Sequence, residues 1–273
     1  MSIAYYNGDF CNFEDVRIPL SDRSVFFGDG IYDAAIGKDG GVYLEGEHLD
    51  RFFSNAERMN IPVSFNRSEL SNLIRKLILE NGYGEYFIYM QLSRFSAERT
   101  HTYPDTEKSN LLITLKEHKL PNPDKELKLI TLPDVRYSMC DVKTLNLLPA
   151  VLASKKAEMS GCDEAVFIRD GAVTECAHSN VHIIKNGILY THPNGKFILP
   201  GITRKRLIYF CNKLGIEVKE IPFPAAALYD ADEILVTSTT RLCQKATEID
   251  GKRLQSNTST VGKRLILALF EDF

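Results

Sequence analysis

The stretch KEHKLPNPDKE, residues 116–126, combines charge with two prolines and carries no apolar period. A run of this kind builds neither a helix face nor a strand face, and its prolines cannot donate to a hydrogen-bond ladder, so no element should continue through it. It reads as a connection between two domains, with the boundary near Pro121. The expectation is an N-terminal domain over 1–118, a linker over 119–124 and a C-terminal domain over 125–273. At 273 residues, 44% of them hydrophobic, the chain has enough apolar material for a sizeable core, and disorder is not its expected state.

Before the break, GEHLDRFFSNAERMN places Leu49, Phe52, Phe53, Ala56 and Met59 at helical spacing, and SELSNLIRKLILENG repeats the pattern with Leu70, Leu73, Ile74, Leu77 and Ile78. Strand signals surround these helices in GIYDAAI, YFIYMQLSRF and LLITL, with Gly40-Gly41 as a hairpin turn. After the break come strand ELKLITL, a helix from about Pro149 to Ser160 stopped by Gly161, and strand AVFIRD turning at Asp170-Gly171. Asn186-Gly187 and Asp250-Gly251 are further turn signals. Between them lie helix ITRKRLIYFCNKLG and strands IEVKEI and EILVTST, and VGKRLILALF forms a closing helix. The fold class is α+β, without internal repeats.

A formal net charge of −3 and no block of five like charges argue against a nucleic-acid partner and favour small molecules. The N-terminal MSIAYYNGDF lacks the basic start and apolar core of a signal peptide, and the run LILALF is too short to span a bilayer, so no membrane association and a cytoplasmic location are expected. Cys11, Cys140, Cys162, Cys176, Cys211 and Cys243 form no CxxC pair and read as small buried hydrophobes.

Several residues admit a chemical reading beside an ordinary one. Lys143, beside Leu145, Leu147 and Leu148, is either a solvated cation or a partly desolvated amine suited to nucleophilic work. In LPGITRKR, Ile202 and Thr203 open a helix that has no acidic side chain, either an ordinary start or an anion site of unpaired amides. Ser238 and Thr239 end an apolar strand and could aim hydroxyls at the same anion. Spacing alone makes Glu175 a solvent-facing strand residue and Arg51 a wet arginine off its helix's apolar stripe. Arg99 and His101, in RFSAERTHTYP, follow a strand and offer paired donors to a carboxylate.

An amine, a phosphate cradle, a carboxylate and a carboxylate trap together describe a pyridoxal-phosphate site for amino acids. The chain resembles the fold-type IV pyridoxal-phosphate aminotransferases, and within them most the D-amino acid transaminases. The stretches that carry the resemblance are DRSVFFGDGIYD, HLDRFFSNAERM, CDVKTLNLLPAVLA, GAVTECAHSNV, ILYTHP, LPGITR and VTSTT, spread over nearly the whole length. The resemblance implies a two-domain architecture with pyridoxal 5′-phosphate between the domains. It makes Lys143 the Schiff-base lysine, Glu175 the partner of the pyridine nitrogen, and Arg51 a phosphate ligand beside Ile202, Thr203, Ser238 and Thr239. Tyr32, Arg99 and His101 would hold the substrate α-carboxylate, with the Arg-x-His loop supplied across a homodimer.

The implied activity is transamination between a D-amino acid, D-alanine first, and a 2-oxo acid such as 2-oxoglutarate. Branched-chain L-amino acid aminotransferases and aminodeoxychorismate lyases are sister activities of the same scaffold, and Arg99-x-His101 argues against both. The chain departs from the D-amino acid pattern at Ala177 and His178, where serines are usual, and at Pro200; His178 could relay protons or line a pocket wall.

Overall fold

The computed structural model describes residues 2–103, 105–254 and 259–273. The chain forms two compact units, one from the described residues of 1–119 with Val142–Asn146, the other from Leu120–Asp141 and Leu147–Phe273.

The first unit contains strands β1 (Ile3–Tyr6) and β2 (Asp9–Asn12), helix α1 (Arg23–Phe27), strands β3 (Gly30–Lys38) and β4 (Gly41–Val42), helices α2 (Glu45–Arg58) and α3 (Arg67–Asn81), and strands β5 (Tyr86–Ser93) and β6 (Asn110–Glu117). The strands form an antiparallel sheet in the order β2-β1-β6-β5-β3-β4. Helices α2 and α3 pack on it through the periodic apolar residues, and Phe52, Leu70, Ile74 and Leu77 are fully buried against Ile88, Met90 and Ile113. Asn66 caps α3 reciprocally with Glu69, which fixes where that helix begins. The β3–β4 turn centres on Asp39 and Gly40, at φ 52° and 84°, one residue before the expected Gly40-Gly41. Gly41 is instead paired with Lys38 as the first residue of β4.

Val142–Asn146 leaves the second half of the sequence and joins this first sheet. Thr144 bridges Ile31, Lys143 accepts from Tyr32 N at 2.9 Å, and Leu145 N donates to the Gly30 carbonyl at 3.1 Å. The approach requires a glycine: a Cβ on Gly30 would lie 2.7 Å from both Leu145 Cδ1 and the Leu92 carbonyl.

The second unit contains β7 (Leu127–Pro133), α4 (Leu148–Met159), β8 (Glu164–Arg169), β9 (Ala172–Cys176), β10 (Asn180–Lys185), β11 (Ile188–Thr191), α5 (Ile202–Lys213), β12 (Val218–Glu220), α6 (Ala226–Tyr229), β13 (Glu233–Ser238), β14 (Leu242–Ile249), β15 (Lys252–Arg253) and α7 (Val261–Asp272). Its mixed sheet runs β12-β11-β10-β13-β14-β7-β8-β9, with β15 on β14. The turns at Asp170-Gly171, Asn186-Gly187 and Asp250-Gly251 have positive φ at both residues, the geometry that matches strand twist in two-residue hairpins. Helices α5 and α7 cover one core, where Leu207, Cys211, Leu235, Cys243, Leu265 and Leu269 are fully buried. No helix among the described residues is long and apolar enough to cross a membrane.

Candidate active site

The sequence candidates divide between the two units, and each half is organised around a buried carboxylate. In the first unit Lys143 sits between buried Val142 and Thr144, with its Nζ 4.3 Å from the centroid of the Tyr32 ring. Leu147 and Leu148, expected to desolvate it, are exposed; its apolar neighbour is this aromatic face. Tyr32 is stacked in turn on Tyr89, with centroids 5.5 Å apart, and Tyr89 donates to Gln91 Oε1 at 2.8 Å.

Arg51 is not a wet arginine. Its Nε and Nη2 donate to the two oxygens of Asp33 at 2.8 and 2.9 Å, and the Asp33 carboxylate is fully buried. His48, one helical turn before Arg51, contributes Nδ1 to Asp33 Oδ1 at 2.8 Å. Burial would raise the Asp33 pKa, but the Arg51 charge and the His48 contact outweigh it and hold the carboxyl well below the ordinary range. The His48 pKa is lowered as well: burial disfavours its charged form against the pull of Asp33, and the positive charges of Arg51 and Lys143 lower it further. Asp33 and His48 were not singled out in the sequence. The available signal was weak, an acid next to Tyr32 and a histidine three residues before Arg51.

Arg99 and His101 lie in the loop after β5, exposed and gathered around α1. The Arg99 guanidinium carbon is 5.2 Å from the Phe27 centroid, and the His101 ring is 5.5 Å from the same residue.

In the second unit Glu175 is buried rather than solvent-facing. Its Oε1 accepts from Arg136 Nη1, and its Oε2 accepts from Asn180 Nδ2 and from Leu199 N, both at 3.0 Å. Arg136 is itself clamped by Asp134, through Nε at 2.9 Å and Nη2 at 3.0 Å, and Asp134 also accepts from Arg169 and the Thr174 hydroxyl. Burial would lower the Arg136 pKa, but Asp134 and Glu175 together push it up. The strand therefore presents a carboxylate fixed by three donors. Arg136, Asp134 and Asn180 are further residues that sequence reasoning passed over.

Helix α5 begins next to this carboxylate. Gly201 is its N-cap, no side chain caps it, and its first turn has no acid, so the N-terminal amides and the buried Thr203 hydroxyl provide donors for an anion. A Cβ at Gly201 would collide with Asn180 Oδ1, the amide that also donates to Glu175. Helix α5 packs on β13, where Ser238 and Thr239 lie half-buried at the strand end. Asn180 pairs with Thr237, so the Glu175 anchor and the end of β13 are adjacent in the sheet. His178 is half-exposed, and its Nε2 lies 2.9 Å from Oε2 of buried Glu164, which also accepts from the Ser179 hydroxyl.

A family model for class IV amino-transferases matches residues 30–249. The chain is 36% identical over 269 residues to a D-alanine aminotransferase of Staphylococcus epidermidis, covering 97% of this chain and 95% of that relative. It is 37% identical over 243 residues to a D-alanine aminotransferase of Listeria monocytogenes, covering 87% and 84%. Among solved structures it superimposes on a branched-chain aminotransferase of Thermoproteus uzoniensis with a TM-score of 0.90, covering 99% of this chain and 94% of that one at 22% identity, a likeness of fold. With the match spanning four fifths of its length and the relatives nearly all of it, the chain belongs to the class IV aminotransferases.

Proposed function

We infer that this protein is a D-amino acid aminotransferase. D-alanine is the leading donor and a 2-oxo acid such as 2-oxoglutarate the acceptor, giving pyruvate and D-glutamate. The observation that carries the reading is 36% and 37% identity to D-alanine aminotransferases over 97% and 87% of this chain.

Pyridoxal 5′-phosphate fits the residues present. Its phosphate suits the uncapped N-terminus of α5 with Thr203, the hydroxyls of Ser238 and Thr239, and the guanidinium of Arg51; its ring nitrogen suits Glu175, and its aldehyde suits Lys143. When bound, the cofactor supplies the electron sink for negative charge left on the amino acid Cα. Lys143 would hold the cofactor at its aldehyde carbon, and its amine would move the proton taken from the substrate Cα. The Tyr32 ring limits where the Lys143 amine travels and draws it by cation–π attraction. Glu175 would favour a proton on the ring nitrogen, and Arg136, Asn180 and the Leu199 amide fix the orientation of its carboxylate. Tyr32, Arg99 and His101 bind the substrate carboxylate and so choose which face of Cα meets Lys143.

Self-association belongs to the same reading. Leu148, Val151 and Leu152 expose a short apolar stripe on the first turns of α4, which suits burial against a second copy. All six cysteines are thiols, which suits a reducing compartment such as the cytoplasm. The test offers D-alanine and L-alanine separately with 2-oxoglutarate to the cofactor-loaded protein and follows pyruvate. Pyruvate from D-alanine alone is expected, and pyruvate from L-alanine alone would reject the reading.

A further inference from the structure

The loop that carries Arg99 and His101 has a seat built into its own unit. Phe27 is the last residue of α1, a helix capped by Asp22, which accepts from the Ser24 amide at 2.8 Å. The guanidinium carbon of Arg99 lies 5.2 Å from the Phe27 centroid and 5.9 Å from that of Phe26, and the His101 ring lies 5.5 Å from Phe27. A third side chain, Arg23, places its guanidinium carbon 4.7 Å from the Phe27 centroid. Unlike the other two, Arg23 is buried: its Nε donates to Asp29 Oδ2 at 2.7 Å, and its Nη1 donates at 2.8 Å to the carbonyl of Thr100, the residue between Arg99 and His101. Asp29 is shared with buried Arg94, whose remaining nitrogens donate to the Met59 and Asn60 carbonyls at 2.7 and 2.6 Å.

The chain enters this loop through Phe95 at φ 97°, a conformation that bulky residues rarely adopt and that persists only where the surroundings impose it. They do so here. The Phe95 carbonyl accepts from Arg23 N at 3.1 Å, and Ala97 N donates to the Ser21 carbonyl at 3.0 Å.

We propose that Phe27, braced by Arg23, is the positioning residue that sets Arg99 and His101 for the substrate carboxylate; this rests on the reading of that pair as the carboxylate ligands. An exposed arginine loses considerable rotamer freedom when it clamps a ligand. One already resting on an aromatic face, with the neighbouring carbonyl tied down, has lost part of that freedom before binding. The gain is in holding the carboxylate throughout the reaction, so its loss raises KM and spares kcat.

The test is a mutant cycle on the cofactor-loaded enzyme, reading KM for D-alanine and the inhibition constant of propionate, a carboxylate without an amine. Phe27→Leu should raise both about two- to fivefold, the worth of an exposed cation–π contact, with kcat and the cofactor absorbance retained. Phe27→Tyr keeps the ring and should restore both constants. In an Arg99→Ala/His101→Ala background, Phe27→Leu should add nothing, because its effect passes through those residues. An equal rise in that background, or no rise from Phe27→Leu in the otherwise native enzyme, overturns the proposal. If Arg99→Ala/His101→Ala leaves both constants unchanged, the carboxylate reading itself fails, a separate outcome. Should Phe27→Leu not fold, Phe27→Met, which conserves volume without the ring, is read through the same cycle.

Discussion

Arg51 and Glu175 share a predicament in different units. Each is a charge deprived of most of its water and held by opposite charge arriving from a distant part of the chain, Asp33 in one case and Arg136 in the other. Removing one member of such a pair leaves the other uncompensated, which costs far more than the pair contributes while intact. Asp33→Asn should therefore lower stability by about 3 kcal/mol, visible as a reduced Tm, and weaken pyridoxal 5′-phosphate much more than pyridoxal, because Arg51 serves only the phosphate. Equal weakening of both would argue that Arg51 does not face the phosphate. Glu175→Gln removes the charge that supports a protonated ring nitrogen while keeping the shape, so kcat should fall on the order of 100-fold with KM little changed. Lys143→Ala should abolish both turnover and the chromophore that borohydride bleaches in the native protein; persistence of that chromophore would assign the cofactor to another lysine. None of these pairings was legible from spacing. Helical periodicity reports where apolar residues face, and it placed Arg51 off the stripe without disclosing that Asp33 waits on β3. Resemblance to a family pointed to the residues, and only the folded chain supplied their partners.

At the scale of elements, the turns were the most legible features, because Asp-Gly and Asn-Gly satisfy a local demand for two consecutive positive φ angles and need nothing from the rest of the chain. Helix starts were less legible: the apolar pattern of α3 reads from Ser68, and the Asn66–Glu69 capping box that starts the helix at Arg67 was passed over. The start of α5 is informative through what is missing: Gly201 offers no capping side chain, and its lack of a Cβ lets Asn180 come close enough to hold Glu175. Gly201→Ala should push Asn180 aside and disturb the helix end and the carboxylate together. Cofactor affinity should fall at least about tenfold, followed by equilibrium titration of the apo-protein, with a second loss in kcat; a loss in neither would separate Asn180 from the site. The joining of Val142–Asn146 to the first sheet was not legible, since a five-residue segment has no period of its own and its placement depends on the space left by Gly30.

Across the whole molecule, buried histidines set the response to acid. His182 is fully buried between the hydroxyls of Thr191 and Thr237, 2.9 Å from each, and burial, with the charge of Arg204 adding to it, pushes its pKa from 6.5 down to about 3. Between those values the unfolded chain takes up a proton that the folded chain refuses, so stability falls as pH drops from 6.5 toward 3 and is unaffected by this group above 6.5. His182→Gln should remove about 3 kcal/mol of the loss between pH 7 and pH 4, read as a smaller drop in Tm over that interval; an unchanged drop would place the acid sensitivity elsewhere, with His48 the next residue to replace. The apolar stripe on α4 allows a test of assembly: Leu152→Glu should shift the protein toward monomer in sedimentation and lower activity in proportion. The excursion of Val142–Asn146 also bears on how the protein is made. A nascent chain of 119 residues already holds every strand of the six-stranded sheet but not the segment that closes on Gly30 and Ile31, so the first unit is complete only when residue 146 has left the ribosome. For the same reason, a gene split at residue 119 would yield an N-terminal fragment without Lys143, and activity would return only if the other fragment threaded that segment back into place.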